Sequence, residues 1–400
     1  MRGIPGSGVF IFFTIIFFIE LLAFFAIRQL VDHRKTKKKL SYLYWTLSFV
    51  LLGFLAYAFA NPAKIRETQD YQFFYFVISI SFLNLIPKIF LSLVYLASLI
   101  LRLLKAHFYA RMLLLSGLIL SLGLMINIGY GIAFGRKTLR VVEQEIHLKD
   151  LPKSLDKTSI VQISDFHLGS FQEDDFLKKC AQKINEIKPD FILFTGDMVN
   201  NYYQEMLGFE DELKSMKATY GKFAILGNHD YGDYVNWNDE QEKVSNHKTL
   251  EDKIEAAGFK LLLNESEKVD IKDTAVVIIG VENWGHPPFP QYADLEKAMQ
   301  GTDKQLFRIL MTHDPAHWDD RVSSKTNIPL TLSGHTHAAQ AGILLAGIEF
   351  SPMYFLQKYW GGLYQQQDQY LYVNRGLGCV GLLGRIEMNP EITVIRLRSE

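Results

Sequence analysis

Residues 9–27 read VFIFFTIIFFIELLAFFAI, a run interrupted by a single charge at Glu20. Crossing a bilayer takes roughly 20 apolar residues, so this stretch is long enough to span one. It is too long for a signal-peptide core, and no small-residue cleavage site follows it. Three more apolar stretches precede Gly135, which predicts a transmembrane region over 1–135 with four spans at 9–30, 42–60, 73–101 and 112–134. Lipid offers the backbone no hydrogen-bond partners, so each span must be helical. The third is overlong and carries Pro87-Lys88 near its middle, where a kink or break is expected. Glu20 and Lys88 are the ionisable residues inside spans. Glu20 is expected to face a neighbouring helix, and Lys88 to snorkel from the break.

Up to Gly135 the chain holds thirteen Lys/Arg and four Asp/Glu, a net of plus nine; the rest holds twenty-nine and thirty-nine, a net of minus ten. The near-zero total therefore joins two different materials. Orientation follows Lys and Arg in short loops. Arg34, Lys35, Lys37, Lys38 and Lys39 fill the first loop, and the loop at 102–111 holds three more basic residues. Between them, Lys64 and Arg66 are balanced by Glu67 and Asp70. This pattern puts the first and third loops inside, although Arg136, Lys137 and Arg140 pull the other way. The expectation is a multi-pass protein of the cell membrane whose soluble domain is extracytoplasmic. Cys180 and Cys379 make neither a ligand-spaced pair nor a disulfide framework.

After a linker at 136–150, short β-rich runs alternate with amphipathic helices over 151–400. Strands are predicted at 160–164, 191–195, 223–227, 259–263, 275–281, 307–311, 330–332, 370–373 and 392–397, with helices at 174–187 and 204–216. The alternation points to an α/β domain with parallel strands.

Polar residues gather where these apolar runs stop. SDFHLG supplies Asp165 and His167, TGDMVN supplies Asp197, and GNHDYG supplies Asn228, His229 and Asp230. MTHDP supplies His313, and SGHTH supplies His335 and His337. In open α/β sheets the loops after the strands' carboxyl ends build the site, so five segments can meet on one rim. Each motif alone fits a turn or a helix cap. Five strand ends that all carry metal-type ligands do not. The x-spaced pairs put both side chains on one side of an extended segment. Imidazole, carboxylate and amide without sulfur suit Mn, Fe or Zn. The ligands are too many for one tetrahedral ion. Two ions roughly 3.5–4 Å apart sharing a carboxylate fit better, and such pairs serve hydrolysis at phosphorus. Gly196, Gly227 and Gly334 are placed to let the backbone turn sharply beside the ligands.

D-x-H, G-D, G-N-H-D, H and G-H-x-H, in this order, resemble the calcineurin-like metallophosphoesterase superfamily over about 151–400. NRGLGCVGLLGRIEMNPEI at 374–392 resembles the bacterial membrane-associated branch of that superfamily. The resemblance implies a four-layer α-β-β-α sandwich with a dinuclear site. Asp165, His167 and His337 would hold one ion, Asn228, His313 and His335 the other, and Asp197 would bridge them. His229 would be a non-ligand near the substrate phosphate that protonates the leaving oxygen, its imidazole oriented by Asp230. A metal-bridged hydroxide would attack phosphorus. Gln340, Asn374 and Arg375 are secondary candidates. Arg375, in a glycine-flanked loop, is suited to fork onto a second phosphate or a lipid headgroup.

Four spans joined to such a site predict a membrane-anchored, metal-dependent phosphoesterase acting on a phosphate ester or pyrophosphate, with a lipid-linked substrate as the leading class. A nuclease is the alternative enzyme, disfavoured by the acidic soluble part. A catalytically silent membrane sensor or scaffold is the alternative outside enzymology, disfavoured by the complete ligand set.

Overall fold

The computed structural model describes residues 6–60, 71–171, 175–287, 289–345 and 347–400. The loop charges Lys64, Arg66, Glu67 and Asp70 lie outside the described residues, as does Asp174. The chain divides into two compact units, Met1–Ala133 with Gly381–Gly384, and Phe134–Val380 with Arg385–Glu400.

The first unit contains α1 (Gly6–Leu30), α2 (Arg34–Ala60), α3 (Tyr71–Leu103) and α4 (His107–Ala133), all long and apolar enough to cross a membrane. Ala23 and Ala26 let α1 approach Leu91 and Tyr95 of α3 and Leu114 of α4. Small residues at such contacts are what helix packing in lipid requires. Phe10, Leu43, Phe49 and Ile126 point outward and are exposed. Helix α3 runs unbroken through Pro87, contrary to a break there. Lys88 does not snorkel either. Its Nζ lies 2.9 and 2.8 Å from the two carboxylate oxygens of Glu20. Ser48 Oγ donates to Glu20 Oε2 at 2.6 Å, and Asn84 Nδ2 donates to Oε1 at 3.0 Å. A carboxylate without water needs a counter-charge and filled lone pairs, and Lys88 is the cation in reach.

The second unit opens with β1 (Arg140–Leu148), β2 (Ser159–Ile163), α5 (Asp175–Ile187), β3 (Phe191–Phe194), α6 (Glu210–Ser215) and β4 (Gly221–Ala224). It continues through α7 (Glu240–Ala256), β5 (Lys260–Leu261), β6 (Glu265–Ile271), β7 (Thr274–Gly280), α8 (Leu295–Ala298), β8 (Phe307–Met311) and β9 (Leu330–Ser333). Then come β10 (Ile343–Leu345), β11 (Ile348–Phe350), β12 (Gly362–Gln366), β13 (Gln369–Val373) and β14 (Glu391–Ser399). One six-stranded sheet has the order β1-β14-β2-β3-β4-β5, a second β12-β13-β9-β8-β7-β6, and β10-β11 is a separate hairpin.

Strand periodicity assigns each residue to a layer. Ile160, Phe191 and Leu193 of the first sheet meet Ile278, Ile309, Met311 and Leu332 of the second in one core. The alternate residues Val161, Ile163, Ile192 and Phe194 pack outward on Leu177 and Ile184 of α5 and Leu250 and Ile254 of α7. On the far side Val277, Ile279 and Leu310 pack against Leu295, Ala298 and Trp318. The result is the expected α-β-β-α sandwich.

Three local expectations change. The stretch 136–150, read as a linker, contains β1, paired parallel to β14. The helix expected at 204–216 is split into a 3₁₀ turn at Tyr203–Met206 and α6, with Gly208 at φ +90° between them. A left-handed glycine ends a helix rather than continuing it. Strand β7 falls at the expected 275–281, whereas β6, the hairpin β10-β11, β12 and helices α7 and α8 were not foreseen.

Candidate active site

The parallel strands β2, β3, β4, β8 and β9 all deliver their C-terminal loops to one edge of the sandwich. The backbone there is strained. Asp165, His167, Asp197, His335 and His337 all have positive φ, between 43° and 73°. Non-glycine residues rarely occupy this region, and such outliers cluster where a site dictates geometry. Gly196, at φ +95°, has a further constraint: a Cβ there would lie 2.6 Å from the Gly227 nitrogen.

Asp165, Asp197, Asn228, His167, His313, His335 and His337 are brought together. His337 Nε2 lies 3.2 Å from Asp165 Oδ1 and 3.0 Å from His167 Nε2. Asn228 Oδ1 lies 3.0 Å from His313 Nε2 and 2.8 Å from His335 Nδ1. Between these sets, Asp197 Oδ2 is 3.4 Å from His167 Nε2 and 3.2 Å from His313 Nε2. Ligand atoms of Asp165, His167 and His337 fall within 4.8 Å of one another, as do those of Asp165, Asp197 and His313.

The donor chemistry fits a cation. His313 Nδ1 lies 2.7 Å from the Thr195 carbonyl, which can only accept, so the proton sits there. Nε2 faces the oxygens of Asp197 and Asn228. Acceptor atoms turned on one another inside a protein need a proton or a cation between them, so this arrangement suits either. Burial drives His167 and His337 below the ordinary imidazole value and keeps them neutral. Burial opposes charge on Asp197 too, but His313 and His229 hold it well below the usual carboxylate range. Although burial opposes it, Asp197 pulls His313 up to about 10. Neutral imidazole and ionised carboxylate are the forms that ligate. One contact runs against this scheme. Arg385 Nη2 lies 3.1 Å from His337 Nδ1, and a guanidinium can only donate. A lone pair on His337 Nε2 then requires either loss of both ring protons or a turn of Arg385 toward its carbonyl partners.

Asp230 does not orient His229. Its fully buried carboxylate accepts N–H groups from Asp197, Met198, Val199 and Gly227 at 2.8–3.1 Å, tying the Asp197 loop to the Asn228 loop. Burial and then the charge of Asp197 push it up to about 7. The His229 imidazole is held instead by the Asn200 carbonyl, 2.9 Å from Nδ1. Arg375 is turned to Glu349 and Glu391 rather than to a ligand. Asn374 is wholly buried, donating to Thr393 Oγ1 at 2.8 Å and accepting the Gly376 N–H at 2.7 Å. Gln340 clips Val380, accepting its N–H at 2.7 Å. The sequence reading assigned Arg375 and Asn374 to substrate; their partners make them braces of the loop.

Several contributors had no sequence signal of their own. Tyr234 accepts from Asn228 Nδ2 at 2.7 Å, which turns Asn228 Oδ1 inward, and its ring stacks on His229 at 4.5 Å. Glu205 accepts the N–H groups of Asn200, Asn201 and Tyr202 at 2.7–2.9 Å and so shapes the loop that carries the Asn200 carbonyl. Arg385, fully buried, donates to the carbonyls of Gly378 and Arg375 at 3.0 and 2.6 Å. Its place after the apolar run VGLLG was the one hint of it.

Residues 5–136 match the family described as "Probable Calcineurin-like phosphoesterase, transmembrane domain", and 158–339 match "Calcineurin-like phosphoesterase". The chain is 34% identical over 280 residues to the metallophosphoesterase YkuE of Bacillus subtilis, covering 68% of this chain and 90% of that protein. A transmembrane protein with metallophosphoesterase domain from Danio rerio is 27% identical over 68% of this chain and 60% of its own. The UDP-2,3-diacylglucosamine pyrophosphatase LpxG of Chlamydia muridarum is 29% identical over 60% of this chain and 84% of its own. With four membrane-capable helices before an α-β-β-α domain whose strand ends carry these ligands, the chain belongs to the calcineurin-like metallophosphoesterase family, as a multi-pass membrane hydrolase of phosphoric ester bonds.

Proposed function

We propose that this membrane metallophosphoesterase holds two divalent cations and hydrolyses a phosphate ester or pyrophosphate bond in a lipid-linked substrate. The observation that carries the two-cation reading is Asp197 Oδ2, placed between His167 and His313. Asp165, His167 and His337 complete one donor set, and Asn228, His313 and His335 the other. When bound, such a pair makes hydroxide available near neutral pH and offsets charge developing on the phosphoryl oxygens. Mn, Fe and Zn all suit these donors. With Nδ1 donating to the Asn200 carbonyl, His229 keeps Nε2 free for the leaving oxygen, and in the imidazolium form that atom would hand over its proton and leave the ring neutral. Asp197 Oδ1, accepting the His229 N–H at 2.9 Å, ties that residue to the ligand loop.

The lipid link is supported by the four apolar helices and by LpxG, whose name is that of a pyrophosphatase of a diacylated sugar nucleotide. An extracytoplasmic catalytic unit is supported by the basic first and third loops, and a reporter fused to the C-terminus tests it. For the chemistry, purified full-length protein is titrated with Mn or Zn and assayed on a membrane-lipid extract, with products identified by mass spectrometry. Two ions per chain and a water-soluble phosphate product from lipid are expected. One ion at saturation, or activity that survives complete chelation, removes the two-cation reading.

A further inference from the structure

Residues 341–357, AGILLAGIEFSPMYFLQ, carry one charge, Glu349. In the antiparallel hairpin β10-β11, Ile343 pairs with Phe350, and Leu344 with Glu349. Cross-strand partners share a face, so Glu349 lies on the face opposite Ile343 and Phe350. Glu349 is turned to Arg140 and Arg375 of the domain and neutralised there. The other face is therefore turned outward. Ile343 is 59% exposed and Ile348 72%, and beyond the hairpin Phe355 is 76% and Leu356 80% exposed. Phe350, Tyr354 and Phe355 form an edge-packed aromatic group on this surface, with ring centroids 5.6–6.2 Å apart. A hairpin whose one charge is paired inward and whose other face is this apolar is an aggregation liability in water, and natural proteins keep such surface for a partner.

The excursion is fastened to the loop that holds His335 and His337 at Ser351, just after the hairpin, and again at Trp360, just beyond the stretch. Ser351 Oγ donates to the Ala338 carbonyl at 2.6 Å, and Thr336 Oγ1 donates to the Trp360 carbonyl at 2.6 Å. The partner with a fixed presence is lipid. Only residues 134–139 separate α4 from β1, at roughly 3.5 Å per residue, so no more than about 25 Å of chain joins a membrane-capable helix to the first strand. Tyrosine and phenylalanine beside aliphatic side chains, without Lys or Arg, are suited to the region between headgroups and acyl chains.

We infer that the β10-β11 hairpin and the turn through Leu356 insert into the bilayer surface beside the candidate metal site, so that the phosphate substrate is taken from lipid rather than from water. The substrate clause rests on the proposed function; the insertion does not. The test uses full-length protein, one copy per nanodisc of phosphatidylethanolamine and phosphatidylglycerol, with an environment-sensitive dye on Ile348→Cys. Asp368→Cys, on the exposed β12-β13 turn, is the control, and the native Cys180 and Cys379 are buried and stay unlabelled. A nitroxide high on the lipid acyl chain should quench the Ile348 dye several-fold more than the Asp368 dye, and aqueous iodide should do the reverse. Equal iodide quenching at the two positions overturns the insertion. Shielding of Ile348 from both quenchers also overturns it, by identifying a protein occupant instead. Because neither readout requires turnover, a failed hydrolysis assay leaves this result standing.

Discussion

In the helical unit, a buried Glu20 is paired with a partly buried Lys88, one charge of each sign. In the α/β unit, Asp165 and Asp197 bury two of the same sign beside the imidazoles of His167, His313 and His337. The first cluster is closed: Glu20 is met by Lys88, Ser48 and Asn84, and Tyr44 caps its main-chain carbonyl at 2.8 Å. The second is open: among the described residues the ion-pair partners of Asp165 and Asp197 are histidines, the side chains that can exchange a proton for a metal. A buried ionic cluster complete in itself sets architecture, whereas one that lacks a charge invites a ligand.

The strongest way to break this contrast is Asp197→Ala. Removing the shared oxygen should lower kcat/KM on a simple phosphodiester on the order of 10³-fold and reduce bound metal, read by elemental analysis of purified protein. Full metal content with retained turnover would end the two-set description. On the closed side, Lys88→Met leaves Glu20 unpaired and should cost about 3–5 kcal/mol, measured by thermal or denaturant unfolding in detergent. Adding Glu20→Gln should recover most of that loss. If the double variant is as unstable as the single, the pair is not the source.

His317 sharpens the comparison from a third position, as a buried imidazole outside the ligand set. Burial lowers it to about 4, its Nδ1 lies 2.9 Å from Thr312 Oγ1, and its ring stacks on Trp284. Its folded value lies below the unfolded one of about 6.5, so the unfolded chain binds the extra proton. The stabilisation is complete above about pH 6.5 and is lost as pH falls toward 4, amounting to about 3 kcal/mol. His317→Asn should flatten that part of the stability–pH curve, and an unchanged slope would assign it to the other histidines. The smallest effect is expected from Tyr234→Phe. Loss of the hydroxyl that turns Asn228 inward should weaken the second metal event about tenfold, followed by competition titration, with the first event unaffected.

The site was largely legible in sequence because parallel strands end together. Each apolar run therefore marks where its following polar residues must go, and SDFH, TGD, GNHD, MTHD and SGHTH could be placed on one rim before any contact was known. What was illegible depends on partners distant in the chain. Asp230 binds N–H groups of residues 197–199, and no local pattern distinguishes a carboxylate that anchors a loop from one that aims an imidazole. Lys88 meets Glu20 across 68 residues, so the lysine read alone was sent to the interface. Strand β1 was missed because its alternation, RVVEQEIHL, buries little until β14 arrives from the far end of the chain.

The Glu20–Lys88 pair also sets an order on how the protein enters its membrane. Each charge, carried alone to the middle of a helix, costs about 2.5–3.5 kcal/mol on insertion. Helix α1 emerges from the ribosome first, and its phenylalanine- and isoleucine-rich flanks are what allow Glu20 to cross without a counter-charge. The ammonium that neutralises it lies on α3, so the bundle stays unfinished through the synthesis of α2. Lys88 thus supplies, from a later helix, the charge that completes a cluster begun on α1.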